Sequence, residues 1–160
     1  MNTAIKEKEK EKTATNEIAQ KMQEFLASIY TLYVKTQNFH WNVTGPFFPQ
    51  LHELFDKQYK ELAAEVDEVA EQIRSLGFFV PASLIAFEEI SHIHDQKGAP
   101  MPAQEMIRIL AQDHQAIVEE GKELFDLLEE HNDPATSDLV IDSVKRHQKN
   151  AWMLRSSLEK

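Results

Sequence analysis

Four long amphipathic segments are the feature of this 160-residue sequence that most constrains its fold. Within each segment apolar residues recur every three or four positions, the period of an α-helix with one buried face. The period predicts helices over about 17–42, 48–76, 101–130 and 135–158. Glycine or proline lies at each break, as in Gly45-Pro46, Gly77 and Pro134. With only four glycines in all, the chain is predicted to be all-α.

The connection between the second and third predicted helices is the longest in the chain. It covers residues 78–100 and contains two prolines, and Ser83 is placed to cap a short helix over residues 84–90. Four long helices with one long crossover between the second and third are typical of a ferritin-like four-helix bundle. We therefore predict a single ferritin-like domain over residues 15–160, with a short helix in the crossover.

Residues 1–14 lack the apolar period and alternate lysine with glutamate from Lys6 to Lys12. They are predicted to form a mobile charged N-terminal tail. The whole chain carries 27 acidic against 17 basic residues, a net charge of −10. That balance argues against a general nucleic-acid binder and suits a protein that handles cations.

Several other function classes are excluded by residues that the sequence lacks. Without cysteine there is no disulfide, no thiolate nucleophile and no zinc–thiolate site. No stretch approaches the roughly 18 apolar residues of a membrane span, and the charged N-terminus lacks the apolar core of a secretory signal. We therefore expect no membrane partner and a cytoplasmic location.

Imidazole and carboxylate side chains around the second predicted helix form the best candidate for a functional site: His40, His52, Asp56, Asp67 and Glu71. The last four are separated by four, eleven and four residues, and at about 3.6 residues per turn these steps return to nearly the same side of a helix. Imidazole together with carboxylate suits iron, zinc or manganese.

One chain cannot bring all of these groups to one metal ion. Asp56 and Asp67 are roughly 16 Å apart along a helix that rises about 1.5 Å per residue, whereas ligands lie within about 2–2.5 Å of the ion they bind. A two-fold axis near residues 61 and 62 would place Asp67 and Glu71 of one chain opposite His52 and Asp56 of an antiparallel copy. Small residues at positions 63 and 64 would permit that close approach. The sequence therefore suggests a metal site shared between subunits.

Simpler interpretations of the same residues stay open. Three acids on one helix also occur on an ordinary solvated face, and His40 beside Trp41 is compatible with a hydrogen-bonded core histidine. A site that binds zinc or manganese without redox turnover fits the ligand types equally well.

The remaining histidines give weaker signals. A ferritin-type Glu-x-x-His pair occurs only at Glu89 and His92, inside the crossover, where we interpret it as chance. His92 and His94 lie in a polar loop and are more often solvated than metal-bound. The other three histidines have no partner at ligand spacing and stay unassigned: His114, His131 and His147.

A longer motif connects the candidate ligands to a known family. The run Asn38-Phe39-His40-Trp41-Asn42-Val43-Thr44-Gly45-Pro46-Phe47-Phe48, followed by Leu51-His52 and Phe55-Asp56, resembles the signature of the Dps family, the mini-ferritins named for DNA protection in starved cells. Asp67 and Glu71 match the second half of that signature, and the helix pattern agrees over about residues 16–158.

The resemblance implies an assembly and an activity. It implies a hollow homododecamer in which His40, His52 and Asp56 of one subunit face Asp67 and Glu71 of another, forming catalytic metal sites that bind and oxidise iron. The implied enzyme is a ferroxidase that converts Fe(II) to Fe(III), commonly with hydrogen peroxide, stores the ferric mineral and so limits oxidative stress.

The resemblance also marks residues away from the ligands. Asp133, Asp138 and Asp142 match acidic positions that line three-fold pores in the family, although acids there also favour a helix N-terminus. Trp41 and Trp152 match tryptophans near the iron site or core, where Trp41 has either a redox or a packing role.

DNA binding is the alternative function, because the family includes proteins that coat DNA with a basic terminus. Here each lysine of the tail is offset by a neighbouring glutamate, so few counterions would be released from DNA. We therefore do not expect DNA binding at physiological salt.

Overall fold

The structure is a computed structural model that describes residues 2–95 and 98–158, with side chains from residue 15 onward. It contains helices α1 (Asn2–Asn42), α2 (Phe48–Ser75), α3 (Leu84–Ile90), α4 (Ala103–Glu130) and α5 (Pro134–Ser156). The described part holds no strand. The prediction of an all-α fold with a short helix in the long crossover is confirmed.

The N-terminal end of α1 differs from the expected helix. The period predicted a start near Glu17, whereas α1 begins at Asn2. The side chains of residues 1–14 lie outside the described part, so the mobile charged tail stays a prediction.

Local hydrogen bonds explain where the other helices begin and end. Ser83 Oγ accepts a hydrogen bond from the Ala86 amide at 3.1 Å and thereby caps α3 as expected. After α2 the chain turns at Gly77, whose φ of 89° is in the left-handed region that glycine adopts without a Cβ clash. These caps hold the helices to the lengths that the breakers predicted.

The core lies between α1, α2, α4 and α5. Helix α1 packs against α2, α3 and α4, while α5 packs mainly against α4. At Gly121 of α4 an added Cβ would lie 2.6 Å from Val144 Cγ2 and 3.3 Å from Phe25, so glycine allows α1, α4 and α5 to approach closely. No helix of the described residues is both long and apolar enough to span a membrane.

A buried ion pair fixes the crossover to the bundle. Lys35 of α1 is 1% exposed, and its Nζ lies 2.6 Å from Asp113 Oδ2 and 2.7 Å from the His94 carbonyl oxygen. Burial raises the pKa of Asp113, an effect that the Lys35 ammonium partly opposes. Removing either partner would leave an unpaired charge in the interior, so this pair holds α1, α4 and the crossover in register.

Candidate metal centre

The turn between α1 and α2 brings two of the predicted ligands together. Gly45 adopts a φ of 113°, and its carbonyl oxygen accepts a hydrogen bond from the Phe48 amide at 3.1 Å. The chain thereby reverses within five residues, and the first turn of α2 packs against the last turn of α1. His40 and His52 become neighbours as a result.

The two imidazoles hold each other in one orientation. His40 Nδ1 lies 2.8 Å from the His52 carbonyl oxygen, and His52 Nδ1 lies 2.9 Å from the His40 carbonyl oxygen. The rings stack with centroids 3.9 Å apart and planes 21° from parallel. Because a carbonyl oxygen only accepts, each Nδ1 must carry the hydrogen, which leaves each neutral ring with its lone pair on Nε2. Such a backbone contact is the usual way in which a metal-binding histidine is oriented.

Asp56 adds a carboxylate one turn after His52. Its Oδ1 lies 3.9 Å from His40 Nε2, and its Oδ2 accepts a hydrogen bond from Lys60 Nζ at 2.7 Å. The Lys60 ammonium is the main cause that lowers the pKa of Asp56, with a smaller contribution from the Tyr59 hydroxyl. Imidazole nitrogen and carboxylate oxygen are donor types that divalent transition metals bind, and these three residues supply part of the predicted ligand set.

The other two predicted ligands stand apart from this trio. Asp67 and Glu71 are exposed farther along α2, as are the small residues Ala63 and Ala64 between the two groups. Among the described residues of one chain, no group of three or more histidine, aspartate or glutamate side chains could hold a metal ion. One chain therefore presents two separated parts of the predicted ligand set, and the pairing of these parts across subunits stays a prediction.

The tryptophans and the three aspartates that the resemblance marked outside the ligand set lie at the surface or at the start of α5. Trp41 is 67% exposed and Trp152 is 60% exposed. Asp133 caps α5, since its carboxylate accepts hydrogen bonds from the Thr136 amide at 3.1 Å and the Thr136 hydroxyl at 2.7 Å. Asp138 and Asp142 are exposed on the first turns of α5. Asp133 thus has a capping role in the single chain, whereas the pore assignment of the three acids is untested.

A buried polar cluster was missed by the sequence analysis. His114 of α4 and His147 of α5, both left without a partner, lie with their Nδ1 atoms 2.7 Å apart. His147 Nε2 is 3.3 Å from Glu65 Oε2 of α2, and the other Glu65 oxygen accepts a hydrogen bond from Ser143. His114 Nε2 has no hydrogen-bond partner among the described residues.

Burial and the neighbouring polar groups together set the protonation of this cluster. Desolvation, reinforced by repulsion from His147, lowers the pKa of His114 well below its usual value. Burial alone would raise the pKa of Glu65, but His147, Ser143 and Arg146 outweigh it and lower that pKa. We infer a neutral His114 and an ionised Glu65 at neutral pH.

The sequence does contain a pattern that could have predicted this buried cluster. The buried residues of α2 form one stripe at three- and four-residue steps: Leu51, Phe55, Gln58, Leu62, Glu65, Val69 and Ile73. Glu65 and Gln58 interrupt that apolar stripe, and His114 likewise lies between Leu110 and Ile117 on the buried face of α4. Polar residues on the buried face of a helix indicate partners inside the bundle.

His92 also has partners that its loop position did not predict. Its Nδ1 lies 3.3 Å from Glu120 Oε1 and its Nε2 lies 3.7 Å from Glu24 Oε2. The carboxylates belong to α4 and α1, while Glu89 of the Glu-x-x-His match is exposed on α3. Because the two carboxylates contact different ring nitrogens, these contacts tie the crossover to the bundle and do not converge on one metal position.

Comparison with known proteins places this arrangement in a class. The family model of the ferritin-like domain matches residues 8–160. The chain is 37% identical to the DNA protection during starvation protein of Brevibacillus brevis over 84% of this chain and 89% of that protein.

Solved structures agree with the sequence match. A crystal structure of a Dps protein from Bacillus brevis has a TM-score of 0.88 at 35% identity and covers 92% of this chain and 98% of that chain. A Dps protein from Vibrio cholerae O1, which is a member of a broad superfamily of ferritin-like diiron-carboxylate proteins, has a TM-score of 0.87 at 25% identity, and the match covers 92% of each chain.

The fold and the family model thus define a ferritin-like helical bundle. Within that class, the chain belongs to the Dps family.

Proposed function

We propose that the protein is a ferroxidase and iron store whose catalytic sites form between subunits of a homododecamer. In this proposal His40, His52 and Asp56 of one subunit bind Fe(II) together with Asp67 and Glu71 of a second subunit. Hydrogen peroxide is the preferred oxidant, and the ferric product collects inside the hollow shell. The protein would work in the cytoplasm and limit oxidative stress by consuming both reactants of Fenton chemistry.

The reciprocal hydrogen bonds between His40 and His52 are the observation that carries the proposal. They set both rings so that Nε2 is the available nitrogen, before any metal arrives. A pre-oriented pair loses little conformational entropy on binding. Asp56, whose pKa the Lys60 ammonium lowers, supplies negative charge beside them.

The proposed chemistry needs two electrons for each peroxide. Two Fe(II) ions each give one electron, the O–O bond breaks, and two protons from solvent complete two water molecules. A ligand set with few nitrogens and several oxygens leaves positions on the iron open to the oxidant. Peroxide preference rests on the family resemblance.

The direct test is iron oxidation by the assembled protein. Stopped-flow absorbance after mixing the Fe(II)-loaded protein with peroxide or with oxygen should show a ferric product that forms faster with peroxide. His52→Ala should remove most of the rate, whereas His131→Ala, an exposed histidine at the end of α4, serves as the matched control. Native mass should give the dodecamer in all three proteins.

Each failure has a distinct meaning. Equal or faster oxidation by oxygen would contradict the peroxide preference. Binding of zinc or manganese with no Fe(II) oxidation would favour the non-redox metal site instead.

A DNA-coating role is the second candidate, favoured by the similarity to the DNA protection during starvation protein of Brevibacillus brevis. It predicts a gel shift at about 0.15 M salt, where phosphate contacts are already weakened. The alternating lysines and glutamates of residues 1–14 argue against it. A shift that persists at this salt and disappears when these residues are deleted would establish the DNA role.

A further inference from the structure

The four long helices pack as two pairs, and the pairs meet at two interfaces of different character. Helix α1 packs closely against α2, and α4 packs closely against α5. At the interface between α1 and α4, Phe25 packs close to Gly121. At the other interface α2 and α5 approach each other at fewer positions, and polar side chains cross between them.

Hydrogen bonds and ion pairs follow the α2–α5 interface in antiparallel order. They join Gln72 to Thr136, Glu68 to Arg146, Glu65 to Ser143 and His147, and Glu61 to Asn150. Polar groups regain hydrogen bonds to water when they separate. The α2–α5 interface is therefore easier to open than an apolar interface of the same length.

The positions of the hydrogen atoms in the buried cluster follow from the acceptors around them. Glu65 is ionised and only accepts, so a neutral His147 carries its hydrogen on Nε2, which faces Glu65 at 3.3 Å without an aligned hydrogen bond. His147 Nδ1 is then the acceptor in the 2.7 Å contact, and His114 Nδ1 is the donor. The remaining lone pair lies on His114 Nε2, which is buried and has no hydrogen-bond partner among the described residues.

A proton has no suitable place on His114 while this interface is closed. Bound at Nε2, it would create a positive ring in the interior, with an N–H group that no described residue accepts. Burial and, to a smaller extent, His147 therefore lower the pKa of His114 well below its usual value.

Other charged groups near the cluster do not offset this effect. They are Glu65 and Glu68 on α2, Arg146 on α5, and Asp113 on α4, which is paired with Lys35 of α1. Among the described residues, His147 is the one titratable side chain that contributes to the pKa of His114. The closed bundle thus excludes a proton that a solvated imidazole would accept.

We propose that the α2–α5 interface is an acid-sensitive switch that opens locally when His114 takes up a proton. In the open state water solvates the ring, and its pKa returns to the usual 6.5. Above that pH neither state binds the proton, so the interface stays closed, and below it the open state gains stability. The interface between α1 and α4 serves as the hinge. The turn that holds His40 and His52 lies within the α1–α2 pair and keeps its geometry.

Proton linkage sets the size of the response. Opening takes up one proton at His114, so its equilibrium constant should rise about tenfold for each pH unit below about 6.5. Glu65 keeps its charge in this range, because its pKa in the closed state is lowered. One proton per opening is therefore the expected stoichiometry.

Single cysteines would report the opening, because the natural chain contains none. Ser137→Cys places a thiol at a buried position of α5, next to Thr136 at the α2–α5 interface. The change removes no hydrogen bond found among the described residues, since the Ser137 hydroxyl has no partner there. Ser28→Cys is the matched control, because Ser28 is buried on α1 and its hydroxyl faces Glu120 of α4 and the crossover.

The measurement is the rate of thiol labelling in the assembled protein by dithiodipyridine, which reacts at acidic as well as neutral pH. Dividing it by the rate for the urea-unfolded chain at the same pH gives the open fraction. Between about pH 6.5 and 5.5 this fraction should rise about tenfold in Ser137→Cys and stay unchanged in Ser28→Cys. In the Ser137→Cys background, His114→Gln should remove the rise, and His131→Gln, at an exposed position, should keep it.

Three results would overturn the switch. A flat profile in Ser137→Cys would do so without any variant of His114, and therefore holds even if His114→Gln does not assemble. Equal rises at both cysteines would show that the whole bundle unfolds instead of one interface. A rise that persists in His114→Gln would assign the proton to another group.

Discussion

Lys60 Nζ lies 2.7 Å from Asp56 Oδ2, so a surface ammonium already occupies one oxygen of a predicted metal ligand. The Lys60 side chain is 63% exposed and that of Asp56 is 32% exposed, so the pair exchanges readily with water. A divalent cation that binds Asp56 must either displace this ammonium or share the carboxylate with it.

Lys60→Gln is therefore expected to tighten metal binding. Loss of the competing charge should lower the dissociation constant for Co(II) by about two- to five-fold, the range expected for an exposed ion pair. Titration calorimetry at low ionic strength would measure it, with Lys57→Gln as a control that removes the same charge from an exposed position on α2. Equal effects of both variants would mean that only net charge matters.

Mixed assemblies should recover activity if the site is shared. His52→Ala subunits lack a ligand from one part of the set, and Glu71→Ala subunits lack one from the other. When the two are refolded together, one of the two interfaces in each mixed dimer keeps every ligand, so ferroxidation should exceed that of either mutant alone. Stopped-flow rates per dodecamer would show it. A mixture that assembles normally but gains no rate would contradict the shared geometry.

Iron entry should depend on Asp138 and Asp142. If three copies of α5 surround a pore, their exposed carboxylates create a negative potential that raises the entry rate of cations at low salt. Asp138→Asn with Asp142→Asn should slow iron uptake and reduce its salt dependence while the dodecamer persists.

Asp133, the N-cap residue of α5, provides a comparison variant for the iron-uptake experiment. Asp133 accepts two hydrogen bonds from Thr136, so Asp133→Ala should chiefly lower the free energy of unfolding, by about 1 kcal/mol for a lost N-cap. Unchanged uptake in the Asp138 and Asp142 variant, with lower stability, would assign those acids to the helix terminus as well.

Stability should fall on mild acidification because of His114. Its pKa in the folded state is lowered, mainly by burial and further by His147, so the unfolded chain binds the proton more readily. The free energy of unfolding is therefore greatest above about pH 6.5 and decreases as the pH falls below that value, by up to about 1.4 kcal/mol per pH unit for one such group.

Replacing the imidazole should remove this dependence. His114→Gln is expected to have a shallower decrease between about pH 6.5 and 5 than the wild type, measured by urea unfolding at fixed protein concentration. His131→Gln, an exposed histidine, controls for titration at the surface. Parallel pH profiles for the wild type and His114→Gln would rule out His114 as the cause.

Much of the fold followed from local patterns. The apolar period, Gly77 and the Ser83 cap predicted α2 and α3 to within a residue or so, because helix formation and termination depend on neighbours in the chain. The start of α1 was missed, since residues 2–16 offer no apolar stripe to mark a helix.

The sequence predicted which residues belong to the candidate site, but it did not predict the hydrogen bonds that orient them. Spacing along one helix placed His52, Asp56 and Asp67 on the same side of α2. It also showed that Asp67 lies too far along the helix axis from Asp56 to bind the same metal ion within one chain. The carbonyl contacts that select Nε2 of His40 and His52 could not be read from spacing, because they depend on how the turn at Gly45 sets α2 against α1.

The sequence by itself determined the four long helices, the crossover and the identity of the candidate ligands. These features could be predicted because the apolar period, the helix-breaking residues and the ligand motif each depend on residues within a few helical turns of one another. Only the tertiary structure joined His114 to His147, His147 to Glu65, and Tyr59 to Tyr33. Those pairs lie on different helices, where one residue of axial shift moves a side chain by about 1.5 Å and a rotation of about 100° turns it away. Their contacts therefore depend on the packing of the whole bundle.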